Sequence, residues 1–376
     1  MPEQLPASSA ESANPGLWPL EVAALYGLDP TLDAAGQCVG IVALGGGYLP
    51  SDLEAASRAV GRPVPLVVDC SVNGATNLFG GGTDADREVA LDLQIVATLI
   101  PSVRIVVYFA DNSILTIADA VRAAINDEVN QPKVLSISWG SAELFWSPET
   151  RDALQTALAD AGSLGITVVA AAGDYLANAG IPDSRAHVMF PASSPFVLAC
   201  GGTRIDLNSA GARVSETVWN DGLSGTGGGI SDAFPLPSYQ HGFPLPASVN
   251  DGQVRRGVPD VAAASAPLPG YRIVLGGDVV IAEGTSAAAP LWASIISMAN
   301  SRRSEPLGLP HAVFYDNPHV CTPVTVGDNR VDGIGYDAAP GWNACTGLGV
   351  PNSLTVDALV AAVRQSSKTT LPSPNS

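Results

Sequence analysis

Uninterrupted apolar runs of strand length alternate with amphipathic segments of helix length from residue 38 onward. CVGIVAL (38–44) precedes SDLEAASRAV, and PLVVDCSV (65–72) precedes an acidic helical segment; RIVVYF (104–109) precedes LTIADAVRAAIND, and KVLSIS (133–138) precedes a helix around 149–161. TVVAAA (167–172) and FVLAC (196–200) continue the series. Apolar runs without polar alternation belong to strands buried on both faces, and helices between them impose parallel pairing. The fold class expected is therefore α/β, doubly wound, with a mostly parallel sheet and helices on both faces, in one large domain spanning 21–364. Residues 1–20 read as an extended arm and 365–376 as a disordered tail. Between about 201 and 270, Gly, Pro and Ser predominate, which predicts long surface loops, and a buried helix is expected from Thr285 to about Ser301, with a short helix near 353–364.

Charge narrows the partners. With 18 Lys+Arg against 36 Asp+Glu the net charge is −18, and no basic block is present to neutralise phosphates, so nucleic acid is not a partner. Protonating carboxylates relieves such self-repulsion, so the balance also fits work at low pH. No apolar stretch approaches the roughly 20 residues that span a bilayer, and the first residues lack the basic and apolar regions of a secretory signal. Five cysteines lack metal-type spacing; Cys321 with Cys345 is a possible disulfide, with buried free thiols the default reading.

Three segments carry candidate chemistry. DADREVALDLQIVATLIP (84–101) is expected as a helix ended by Pro101. At about 100° per residue, Arg87, Gln94 and Thr98 form a polar stripe, whereas Glu88 and Asp92 lean with Ile95 and Leu99 toward the interior. Two carboxyls that close, and partly buried, titrate as a coupled pair and can act as a base toward a hydroxyl under acidic conditions; a solvated helix face is the other reading. Asp174 follows a strand and Gly173, at the carboxyl edge where open α/β sheets place their sites. It is either a turn aspartate or, if protonated, a donor to an oxyanion. Ser286, in EGTSAAAP (283–290), is either a residue of a helix N-terminus or a nucleophile close to backbone N–H donors.

EGTSAAAP, the E-x-x-x-D at 88–92 and AAAGD (170–174) together resemble the sedolisin, or serine-carboxyl, peptidases, close to the kumamolisin branch. The likeness extends through SISWG (136–140), RAHVMFPASSPFVLACGGTRI (185–205), TVWND (217–221), GGGIS (227–231), RGVPDVA (256–262) and PGWNACTGLG (340–349). The resemblance implies a subtilisin-like fold and an acid-active endopeptidase that works through an acyl-enzyme on Ser286. Glu88 would be the general base, Asp92 its orienting partner and Asp174 the oxyanion acid. Trp139, Met189 and the run Gly227, Gly228, Gly229 would lie in the substrate cleft or its hydrogen-bond network, with a core aromatic the other reading of Trp139. Polypeptide substrates, a monomer and secretion are implied, with a pro-region removed or absent; lacking a signal here, a cytoplasmic location is the alternative.

Departures from the family also carry expectations. Ala43 stands where relatives often have a glutamate linked to the triad, so the network would be shorter. Met189 replaces a cleft aspartate, which implies an apolar-leaning pocket. For the family's C-terminal Ca²⁺ site the best match is Pro323-Val324-Thr325 with Ala339-Pro340-Gly341-Trp342-Asn343, where both carboxylate ligands are replaced. Carbonyls of Val324, Ala339 and Gly341 and the Asn343 amide oxygen remain as donors, with Asp316 or Asp328 as substitutes. Because Ca²⁺ takes anionic oxygen, the balance stands against calcium. The rivals are a catalytically silent peptide-binding member, a histidine-dependent subtilisin-type protease, for which His187, His241, His311 and His319 lack the sequence context, and a nucleotide-binding protein suggested by VALGGGY (42–48), which lacks the phosphate-binding fingerprint.

Overall fold

Alternate residues of the apolar runs point to opposite sides of one sheet, and both sides are dry except at the edge strand Leu66–Ser71, whose residues are half-buried or exposed. In β1 (Cys38–Leu44), Val39, Ile41 and Ala43 enter one core, whereas Val42 and Leu44 enter the other. The computed structural model describes residues 16–81 and 84–362. β2 (Leu66–Ser71), β3 (Arg104–Ala110), β4 (Val134–Ile137), β5 (Thr167–Ala171), β6 (Val197–Leu207), β7 (Arg213–Val218) and β8 (Val261–Ala264) complete an eight-stranded sheet. Its order is β8-β6-β5-β4-β1-β3-β2, all neighbours parallel, with β7 antiparallel on β6. The doubly wound, mostly parallel sheet is as expected.

Six helices frame the sheet: α1 (Pro19–Leu25), α2 (Pro50–Ala59), α3 (Asp84–Leu99), α4 (Ile117–Ile125), α5 (Pro148–Ser163) and α6 (Thr285–Ser301). The cores place α3 and α6 on one face and α4 and α5 on the other. The strand order reverses around β1, with β3 on one side and β4 on the other. A crevice therefore opens beyond the carboxyl ends of β1 and β4, where ligands of such sheets bind.

Four expectations need adjustment. α1 begins at Pro19, inside the arm expected through residue 20; residues 1–15 and the tail 365–376 lie outside the described residues. Gln94 and Thr98 are no exposed stripe: both are buried, because the hairpin of Tyr271–Leu275 and Asp278–Ala282 covers that side of α3. Gln94 pays for its burial with paired bonds, Nε2 donating to the Val274 carbonyl (2.7 Å) and Oε1 accepting from the Val274 N–H (2.8 Å). The Gly-rich region 201–270 is also more ordered than a set of surface loops: it completes β6 and supplies β7 and β8. Within it, the fully buried Arg256 and Asp260 form a two-point ion pair, at 2.8 and 2.6 Å. The short C-terminal helix is Thr355–Ala361, and all five cysteines, Cys321 and Cys345 included, are free thiols.

Candidate active site

Four elements converge at the crevice. α3 contributes Glu88 and Asp92, one helical turn apart, and α6 packs against α3 so that Ser286, its second residue, faces the same space. The chain leaving β4 supplies Ser138, and the chain leaving β5 supplies Asp174. The α6 N-cap is Gly284 and no side chain caps the helix, so Ser286 is not spent on capping; it is 5% exposed.

Asp174 is fixed by the motif that carries the serine. Its Oδ1 accepts from the Thr285 backbone N–H and hydroxyl, both at 2.7 Å, and Thr285 Oγ1 accepts from Gly173 N–H at 3.0 Å. Oδ2 lies over Gly284, where a Cβ would come within 2.6 Å of it, and φ there is +111°. Glycine is the residue that meets both conditions. Burial pushes the Asp174 carboxyl above its ordinary range, and the Thr285 bonds only partly offset this.

The other two acids are raised as well. Glu88 moves to about 8; burial is the main cause and the Asp174 charge adds to it, while the Ser286 and Ser138 hydroxyls and Arg87 act downward. Asp92 is 1% exposed and raised by burial and by Glu88, with Ser138 opposing. Glu88 Oε1 and Asp92 Oδ2 are both shielded from solvent without a hydrogen-bond partner. Buried ionised oxygens in that state are costly, so the pair retains protons.

Two contributors were not assigned to the site by sequence reading, which placed Arg87 only in the polar stripe of its helix. Ser138 Oγ donates to Asp92 Oδ1 at 2.8 Å and lies 3.3 Å from the Ser286 carbonyl oxygen. That carbonyl is open because Pro290, four residues on, has no N–H to close the helical turn. Arg87 pairs with Glu283 and donates to the Ile281 carbonyl (2.8 Å), tying α3 to the strand that leads into α6. The signals were present: a serine beside Trp139, and a proline four residues after Ser286.

The remaining candidates surround this cluster. Trp139 is half-buried and packs against the α4/α5-side core. Met189 belongs to a two-residue strand paired with Ser141–Ala142, and its Cγ would lie 2.6 Å from a Cβ at Gly173. Gly227 N–H donates to the Gly173 carbonyl (2.7 Å), and a Cβ there would fall 2.2 Å from the Ala172 carbonyl oxygen. Gly228 is as close to the Ala344 carbonyl, and Gly229 pairs with Val258. The glycine run thus threads between the Asp174 turn and the C-terminal loop. Ala43 is fully buried on the α3/α6 side of β1.

The histidines lie elsewhere. His187 meets the Asp183 carboxyl (2.9 Å), His311 the Val197 carbonyl (2.9 Å), and His241 and His319 sit at the short turns Ser238–Gln240 and Pro318–Val320. Among the described residues no group of three or more His, Cys, Asp or Glu could hold a metal ion, and no helix is long and apolar enough to cross a membrane. Val324, Ala339 and Asn343 do meet, but the Asn343 Nδ2 donates to the Val324 and Ala339 carbonyls (3.1 and 3.2 Å). Asn343 thus offers them an amide N–H, contrary to the expected oxygen ligand. Gly341 is an exposed turn residue in the same segment.

Comparison with known proteins agrees with this fold. Residues 75–309 match the subtilase family. Kumamolisin of Bacillus sp. (strain MN-32) is 43% identical over 92% of this chain, and sedolisin of Pseudomonas sp. (strain 101) 31% identical over 96%. The chain spans 64% and 62% of those relatives' lengths. The solved structure of Pseudomonas sedolisin, a serine-carboxyl proteinase complexed with two molecules of pseudo-iodotyrostatin, superposes with a TM-score of 0.79 at 30% identity, over 92% of this chain and 97% of that one. Sphericase, at 18% identity and a TM-score of 0.53, shares the fold. The fold is subtilisin-like, and with these matches the chain belongs to the sedolisin family, on its kumamolisin-like branch.

Proposed function

We propose that this protein is an acid-active serine endopeptidase that hydrolyses peptide bonds of polypeptide substrates. The observation that carries the reading is the gathering of three carboxyl groups, all with raised proton affinity, around the helix start that presents Ser286, while the histidines lie elsewhere.

Ser286 Oγ attacks the scissile carbonyl and Glu88 takes its proton in the singly ionised form of the pair, in which Asp92 holds the remaining proton. At acidic pH this is the minor form, and the high proton affinity that makes it scarce also makes Glu88 a stronger base than an ordinary carboxylate. Asp92 orients Glu88 and shares the pair's charge. Asp174, held through Oδ1, keeps Oδ2 for a proton that it donates to the developing oxyanion, a role open only to a neutral acid. Glu88 then protonates the leaving amine, and water releases the acyl group by the reverse proton path. Met189, beside Gly173, gives the cleft an apolar lining. The enzyme works as a monomer in an acidic extracellular setting, within one domain that includes α1 from Pro19.

An unfolded protein substrate should be cleaved at about pH 3–5, and Ser286→Ala should abolish cleavage while leaving the thermal transition intact. Full activity in Glu88→Gln would sink the triad assignment. Absence of turnover with retained peptide binding would favour the silent peptide-binding member.

A further inference from the structure

The C-terminal loop contains carbonyls that the family resemblance would give to a bound Ca²⁺, yet its chemistry no longer suits a cation. Asn343 is 3% exposed and its amide is saturated. Nδ2 donates to the Val324 carbonyl (3.1 Å) and the Ala339 carbonyl (3.2 Å). Oδ1 accepts from Cys345 N–H (3.1 Å), Thr346 N–H (3.0 Å) and Thr346 Oγ1 (3.1 Å). A flipped amide would set Nδ2 against two N–H donors and Oδ1 against two acceptors, so the network itself dictates the orientation.

The alternative carboxylates are committed or distant in role. Asp328 Oδ1 accepts from Asn220 Nδ2 (3.1 Å) and Arg330 N–H (2.9 Å). Asp337 is held at both oxygens by Arg330 (2.8 and 2.9 Å), and Asp316 is exposed at the end of the short helix His311–Asp316. A hard cation would have to displace two N–H donors and would gain no anionic oxygen in return.

We propose that the Asn343 amide occupies the cation's place, its two N–H groups drawing together the Val324 and Ala339 carbonyls that a divalent ion would otherwise bridge. The loop is thereby closed independently of metal. Its integrity reaches the glycine run, because the neighbouring Ala344 carbonyl stands where a Cβ on Gly228 would be.

Thermal unfolding near neutral pH tests this on the unmodified chain, treated with chelator or with CaCl₂ at about 1–10 mM. The two midpoints are expected to coincide, and Asn343→Ala should lower the midpoint by about 5 °C, with no response to CaCl₂. Asn343→Asp, which sets a carboxylate against the two carbonyls, should be destabilised in chelator and partly restored by CaCl₂. A midpoint of the unmodified chain that falls on chelation, one equivalent of Ca²⁺ bound in calorimetric titration, an unchanged midpoint in Asn343→Ala, or a folded Asn343→Asp that ignores CaCl₂ would each overturn the proposal. If Asn343→Asp does not fold, the unmodified chain and Asn343→Ala decide.

Discussion

Pro290 leaves the Ser286 carbonyl without its helical donor, and Ser138 Oγ stands 3.3 Å from that carbonyl and 2.8 Å from Asp92. A serine hydroxyl has one proton, so Ser138 gives it to the nearer acceptor, Asp92 Oδ1, and the Ser286 carbonyl is the weaker second acceptor. That bond favours the ionised form of Asp92 and opposes the burial and the Glu88 charge that raise its proton affinity.

Ser138→Ala is therefore expected to alter the pH dependence as well as the rate. Ser138 holds down the proton affinity of both Glu88 and Asp92. Without it the pair takes up its inactivating proton at higher pH, so the acid limb of kcat/KM moves upward, with a loss of about tenfold at the optimum, the scale of one hydrogen bond. An equal drop at every pH would show a merely structural role.

Asp174→Asn should separate donor geometry from titration. Asparagine can accept the Thr285 bonds at Oδ1 and present an N–H where Asp174 must be protonated. The alkaline limb of the pH–rate profile should move to higher pH, with kcat lower by about 10- to 1000-fold. An alkaline limb that stays in place would assign it to another group.

Stability should fall as pH rises. Glu88 has a folded pKa of about 8 against an ordinary 4.5, so between those values the folded state binds more protons than the unfolded one. Its contribution is fully present below about 4.5 and is progressively lost toward 8. Asp92 and Asp174 act in the same direction. In a Ser286→Ala background, which removes self-digestion, the melting midpoint should be higher at pH 4 than at pH 7, and adding Glu88→Gln should flatten the slope. A slope unaffected by Glu88→Gln would refute its share.

Asp260 behaves oppositely. Burial pushes its carboxyl up, but the Arg256 guanidinium and His311 outweigh burial and hold it well below the ordinary range. Its contribution is present above the ordinary carboxylate pKa and is lost only as pH falls through the depressed value, so the pair with Arg256 survives at the acidic pH proposed for catalysis. Asp260→Asn should cost about 3–5 kcal/mol, because Arg256 would be left buried without its counter-charge; denaturant unfolding measures it. A loss under about 1 kcal/mol would show that the pair contributes little.

The strand and helix alternation was legible because strands buried on both faces must be continuously apolar, as β1 and β3 are, and α6 was legible from its run of small and apolar residues. The inward lean of Glu88 and Asp92 followed from helical phase alone. Burial of Gln94 and Thr98 did not, since it depends on a hairpin some 180 residues away in the chain, as the Gln94–Val274 bonds record. The Gly-rich stretch misled for a related reason: Gly227 and Gly228 are small because other backbone lies against them, and composition cannot distinguish a glycine that turns from one that is crowded.

Residue identity and local period thus determined the sheet class, the helices and the acids available for chemistry. Only the tertiary structure decided which of them share a space: that Ser138 meets Asp92, that Thr285 holds Asp174, and that Asn343 turns its N–H groups toward two carbonyls. Hydrogen bonds act over about 3 Å, and which groups come that close is set by packing between segments far apart in sequence.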